Sequence, residues 1–156
     1  SKQVATAQPT APIDSVESKL NLSEFNAFKP YLIYNTDSSF AIDIASYNFV
    51  IINKKGERWL EPAGPDSEVS VLDFKKQIKK RILFFGPSQA VLDAKWKDDQ
   101  TLLVAIADMQ EQDNREISIF EHDVISGETL SYGPLRVAAG NIEDWLPKKL
   151  NSRKAF

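Results

Sequence analysis

The 156-residue sequence contains no cysteine, which removes disulfides, thiolate catalysis, iron–sulfur clusters and thiolate zinc sites together. Histidine is nearly as scarce. His122 stands alone, whereas a transition-metal centre ordinarily recruits several His or Cys ligands, so neither such a centre nor a cofactor is expected. An excess of one charge is missing too: 19 Lys and Arg face 22 Asp and Glu, a net −3. That balance offers no electrostatic footprint for nucleic acid. No run approaches the roughly 20 apolar residues of a membrane-spanning helix. Neither G-x-G-x-x-G, nor G-x-x-x-x-G-K-[ST], nor a G-x-S-x-G elbow occurs, so the chain lacks the phosphate-cradling and serine-nucleophile loops of common enzymes.

What is present divides into three parts. Residues 1–18, SKQVATAQPTAPIDSVES, are rich in Ala, Thr, Gln, Pro and Ser without periodicity and read as a flexible tether. The stretch resembles the tether that follows the lipidated cysteine of bacterial lipoproteins, which implies an extracytoplasmic, lipid-anchored protein; a plain disordered terminus is the alternative. The lack of cysteine fits an extracytoplasmic site, although a cytosolic protein can lack it too. Residues 19–139 form a β domain, and residues 140–156 a C-terminal piece in which Asn141 caps a short helical turn through Ile142, Trp145 and Leu146, followed by a basic tail.

The β domain opens on a short amphipathic turn through Leu20, Leu22, Phe25 and Phe28, with Ser23 as N-cap and Pro30 as terminator. Short apolar runs separated by turn residues follow, at Tyr31–Asn35, Phe40–Ala45, Phe49–Asn53, Arg58–Glu61, Val69–Phe74, Lys80–Phe85, Ala90–Trp96, Leu102–Asp108, Glu116–His122 and Thr129–Leu135. Residues 70–85 admit two readings. Val71, Phe74, Ile78, Ile82 and Phe85 share a helical face, but the β-branched and aromatic run Ile82–Phe85 favours a hairpin.

Two units resemble one another. Tyr34-Asn35-Thr36-Asp37-Ser38-Ser39-Phe40-Ala41-Ile42 aligns with Trp96-Lys97-Asp98-Asp99-Gln100-Thr101-Leu102-Leu103-Val104: an aromatic, an acid three residues on, small polar residues, then a strand. Asp37 and Asp99 are expected to cap their turns. Phe49–Asn53 turning through Gly56 into Trp59 is then set beside Ile117–Asp123 turning through Gly127 into Tyr132. This grammar resembles single blades of β-propeller proteins, as found in bacterial secreted and lipoprotein domains, with Ala94–Val104 the nearest match. A propeller closes with about four blades. Two units instead predict a mainly β fold of about ten antiparallel strands, in a two-sheet sandwich or a curved barrel.

Few residues carry recognisable chemistry. His122 lies between Glu121 and Asp123, which on a strand point away from it, so a structural histidine outweighs a catalytic one. The loop Asp108–Asn114 has the oxygen ligands for calcium but not the glycine or distal glutamate of a hand-type site; a solvated hairpin tip is the simpler reading. Lys75, Lys76, Lys79, Lys80 and Arg81 make the one basic cluster, either a charged hairpin tip or a surface for an anionic partner. Large aromatics in a β domain are usually core, with Trp59 beside the Pro62–Pro65 loop the best exception. Trp59, Lys79 and Arg81 are therefore the expected ligand- or partner-binding residues. The reading is a non-catalytic extracytoplasmic domain that binds a protein, a glycan or a small ligand. A carboxylate-dependent hydrolase and a small barrel holding an apolar ligand are the rivals. Exposed sheet edges leave room for a second copy.

Overall fold

Alternation along residues 101–108 places Leu102, Val104 and Ile106 on one face of a strand and Leu103 and Ala105 on the other. In the computed structural model the first three are buried in the main core and the second two are half-exposed. The structure describes residues 8–9, 16–21, 23, 26–110, 114–138 and 149–151. In chain order the strands are β1 Gln8–Pro9, β2 Glu17–Lys19, β3 Ile33–Tyr34, β4 Phe40–Asp43, β5 Phe49–Lys54, β6 Glu57–Pro62, β7 Ser67–Asp73, β8 Ile78–Phe85, β9 Gln89–Trp96, β10 Thr101–Asp108, β11 Asn114–Asp123 and β12 Thr129–Ala138.

They build a mainly β, antiparallel fold of two five-stranded sheets. One runs β2-β8-β7-β4-β3, the other β1-β12-β11-β10-β9, and β5 and β6 form a separate two-stranded ribbon. Both sheets are open, with no closed barrel among the described residues. Their inner faces share one core: Ile42, Val69, Val71 and Leu83 come from the first sheet, Val91, Leu102, Val104 and Ile106 from the second. Phe85 meets Phe120 across it, ring centroids 5.9 Å apart, and Phe40 meets Trp96 at 6.4 Å.

Each sheet is a four-strand meander with a short N-terminal strand added on its outer edge. Glu17–Lys19 pairs with Lys80–Ile78, and Gln8–Pro9 with Ser131–Leu130, so parts of the tether-like stretch join the sheets as edge strands. Residues 70–85 adopt the hairpin. β7 pairs with β4 on one side and β8 on the other, a partnership that meets its backbone hydrogen bonds and outweighs the helical periodicity.

The repeat is real at its first half and differently arranged at its second. Because β4 pairs with β7, the hairpin that completes the first unit is β7–β8, and β5–β6 is an insertion off the sheet. The matching turns are chemically alike: Asp73 Oδ1 accepts from the Lys75 and Lys76 amides, Asp123 Oδ1 from those of Ile125 and Ser126. Positive φ falls on Gln77 (56°) in one and Gly127 (78°) in the other, which hid the likeness in sequence. Leading turns also depart from expectation. Asp37 caps Ser39, but in the second unit Asp98 takes that part at Gln100, and Asp99 reaches across to the Thr36 amide (3.2 Å). With Asn35 Nδ2 donating to the Asp99 carbonyl (2.9 Å) and Trp96 Nε1 to that of Ile33 (2.7 Å), the two units are braced turn to turn.

Residues 26–31 form a 3-10 helix that contains Pro30 rather than stopping before it. At the other end, Lys149–Asn151 make a helical turn whose Asn151 side chain accepts from the Leu60 amide (2.8 Å) and donates to its carbonyl (3.1 Å), tying the ribbon to the domain. The expected cap at Asn141 and the turn through Leu146 lie outside the described residues.

Candidate functional site

The outer face of the first sheet gathers aromatic and charged side chains from neighbouring strands. Along β7 the side chains of Glu68, Ser70 and Leu72 point to this face, since alternate residues share a side, and Phe74 follows just beyond the strand. From the neighbouring strands Tyr34, Ala41 and Asp43 join them, as cross-strand register requires.

At one end Tyr34 and Phe74 stack, ring centroids 5.8 Å apart and planes within 19°. They wall a pocket of about 270 Å³ lined also by Leu32, Leu72, Asn26, Lys29 and Ser38. Leu20, Ala41 and Leu72 pack together beneath this end, with Leu32 and Phe74 against them. Ser38 takes a positive φ (58°) in the turn that presents Tyr34, and Asp37 holds that turn by accepting from the Ser39 amide and hydroxyl. Those hydrogen bonds keep the Asp37 carboxyl below its usual range, while partial burial raises the Tyr34 phenol above its own. Tyr34 therefore enters the pocket as a neutral hydrogen-bonding group at physiological pH.

At the other end Glu68, 6% exposed, accepts from Arg81 Nε at 2.5 Å and lies 3.4 Å from Lys79 Nζ. Asn48 fixes the Glu68 backbone on both sides, accepting from its amide (2.7 Å) and donating to its carbonyl (2.9 Å). The Arg81 guanidinium lies over the Phe84 ring at 4.6 Å, and Tyr47 meets Phe84 edge-on at 5.8 Å. Both rings are well exposed, at 42% for Tyr47 and 40% for Phe84.

The structure thus brings two of the three expected binding residues together and leaves the third apart. Lys79 and Arg81 share Glu68; Trp59 sits half-buried on the β5–β6 ribbon, with Lys54 Nζ 5.7 Å from its ring. Tyr34 was legible as one of seven Trp and Tyr residues that could line a groove, weighed chiefly as core, and Phe74 only as a strand or helix-face aromatic. Glu68 carried no sequence signal, being one acid among 22 acidic residues.

Two further titratable side chains, His122 and Glu121, lie on the second sheet. His122 is buried, its Nδ1 2.8 Å from Thr129 Oγ1; burial, helped by the Lys80 charge and opposed by Asp123, pushes its pKa down to about 4. It is a neutral core imidazole at physiological pH. On the second sheet Glu121 accepts from Lys97 Nζ (2.6 Å) and from the Tyr132 hydroxyl (2.7 Å), bonds that hold its carboxyl below the usual range. Three residues of the calcium-like loop, 111–113, lie outside the described set; no group of three or more potential metal-ligating side chains occurs among the described residues. No described helix is long and apolar enough to cross a membrane.

No family model matches the chain, and no curated protein does. Among solved structures, a protein of Clostridium novyi NT whose name assigns it as a conserved lipoprotein is similar over 83% of this chain and 70% of its own, at 11% identity and a TM-score of 0.39.

Proposed function

We propose that this chain is a non-catalytic, extracytoplasmic binding domain whose ligand enters the pocket walled by Tyr34 and Phe74. The carrying observation is the pocket itself. Two stacked rings and two leucines supply an apolar wall, and Lys29, Asn26 and Ser38 supply a charge and hydrogen-bonding groups within about 270 Å³. That mixture, an apolar lining with a few polar groups, is what small-molecule sites use to bind and to orient, and the volume suits a single ring or a short chain. The extracytoplasmic part of the reading is supported by the lack of cysteine and the tether-like composition of residues 1–18.

Titrating the ¹⁵N-labelled chain with a panel of sugars, aromatic acids and short amphiphiles tests the proposal. Binding is expected to shift the amides of residues 32, 34, 72 and 74 together, and Tyr34→Ala is expected to weaken it roughly tenfold, the loss of a buried aromatic contact. A panel that shifts only residues remote from this pocket, or a ligand indifferent to Tyr34→Ala, would sink it.

A further inference from the structure

The run Ile82-Leu83-Phe84-Phe85 does not alternate, and the register shows why. Val69 pairs with Leu83 but Ser70 with Arg81, so Ile82 is an extra residue in β8. Such a bulge sends two neighbours to one side, and here Ile82 and Leu83 (3% and 1% exposed) both enter the core. The consequence falls on the opposite face. Arg81 and Phe84 are three residues apart and would sit on opposite sides of a regular strand; the bulge puts both outward, one over the other.

From this geometry we infer that Arg81 anchors a second binding site, one that takes a carboxylate-bearing saccharide. Three features specify the ligand. Glu68 engages Arg81 through Nε alone; among the described residues the two Nη groups have no hydrogen-bond partner, and their planar fork matches a carboxylate. Glu68 is itself fixed by Asn48, so the guanidinium is oriented before any ligand arrives and loses little freedom on binding. Finally, Arg81 covers one face of Phe84, and exposed Tyr47, edge-on to Phe84, brings a second ring and a hydroxyl into the cluster; aromatic rings are the surfaces on which the C–H faces of a pyranose stack. An oriented fork beside aromatic platforms suits a uronic acid better than a bare anion, which needs no rings. Lys79 Nζ lies 3.4 Å from the same Glu68 carboxylate. This inference stands apart from the Tyr34 pocket and does not require it.

The test is titration of the full ¹⁵N-labelled chain with trigalacturonate, with the neutral galactose trimer and with inorganic phosphate, each up to about 10 mM. Trigalacturonate is expected to shift the amides of residues 47, 81 and 84 and to bind at least tenfold tighter than the neutral trimer. Arg81→Lys keeps the charge but loses the fork and should cost about tenfold; Tyr47→Ala, an exposed ring whose removal leaves the core intact, should weaken binding severalfold. No shift at these residues, equal binding of the neutral trimer, or binding unchanged by Arg81→Lys overturns the inference. So does phosphate that reproduces the same shifts with equal affinity, which would make the site a plain oxyanion site. Shifts confined to residues 32, 34, 72 and 74 would overturn it while leaving the pocket proposal standing.

Discussion

His122 makes stability depend on pH in a window where most proteins are flat. Its ring lies on β11 between Leu102 of β10 and Thr129 of β12, and is 5% exposed. Burial first, then the Lys80 charge, lowers its pKa from 6.5 to about 4, with Asp123 pulling weakly the other way. Above pH 6.5 the ring is neutral in both folded and unfolded chains and contributes no pH dependence. Between 6.5 and about 4 the unfolded chain binds a proton that the folded chain refuses, so stability falls as pH falls, and the loss is complete below about 4. At about 1.36 kcal/mol per pKa unit the full loss is about 3 kcal/mol. Urea unfolding of the wild type and of His122→Gln at pH 7.5 and 4.5 measures it. Glu121, Asp123 and Asp98, whose carboxyls are held low by hydrogen bonds, lose stabilisation toward the acid end in both proteins, so the difference between the two pH dependences reports the histidine together with its coupling to Asp123. The wild type should lose about 2–3 kcal/mol more than the variant across that interval. Parallel pH dependences, or an NMR titration of the His122 ring with a midpoint near 6.5, would refute the reasoning.

Other positions give sharper single numbers. Tyr31 is 1% exposed and its hydroxyl has no partner among the described residues, so Tyr31→Phe should leave stability unchanged or raise it by about 1 kcal/mol in thermal or urea unfolding. Gly133 has φ +103°, and a Cβ there would lie 2.9 Å from the Ile117 carbonyl oxygen; Gly133→Ala should cost about 2 kcal/mol or more by the same assay, whereas Gly86→Ala, facing open space, should stay within about 0.5 kcal/mol. Asn151→Ala removes both hydrogen bonds to the buried Leu60 backbone and should cost about 2–3 kcal/mol, with faster amide exchange along β5 and β6 as its local signature.

The ten strands expected from the pattern of apolar runs and turn residues are present, because strand alternation and Asp- or Gly-bearing turns are local properties. Their grouping was less legible. Phe49–Asn53 and Arg58–Glu61 read as the natural continuation of the first unit, but they form the detached ribbon. A hairpin looks the same in sequence whether it extends a sheet or leaves it, and the deciding interaction, β4 with β7, spans about thirty residues. Edge strands β1 and β2 were illegible for a related reason. Two or three residues have no alternation to display, and what identifies Gln8–Pro9 and Glu17–Lys19 as strands is their backbone pairing with Ser131–Leu130 and Lys80–Ile78.

Site residues divide along the same line. Arg81 and Lys79 stood out because clustered positive charge is visible in sequence, yet charge alone placed them no better than at a solvated hairpin tip. What changes their meaning is Glu68, a buried acid on the neighbouring strand, together with one inserted residue at Ile82. The unbroken Ile82–Phe85 run did hold a signal: four consecutive apolar residues in a strand with one solvated face conflict with alternation, and a bulge is the economical way to resolve the conflict. Taken in that sense, the run predicts that Arg81 and Phe84 share a face, and the deletion of Ile82 becomes a test of the fold's own logic. Removing it should restore regular alternation, turn Phe84 inward or Arg81 away from it, and destabilise the domain by several kcal/mol, because a register shift moves the core face of β8. A deletion variant as stable as the wild type, with the Arg81–Phe84 contact intact, would show that the bulge does not set the face.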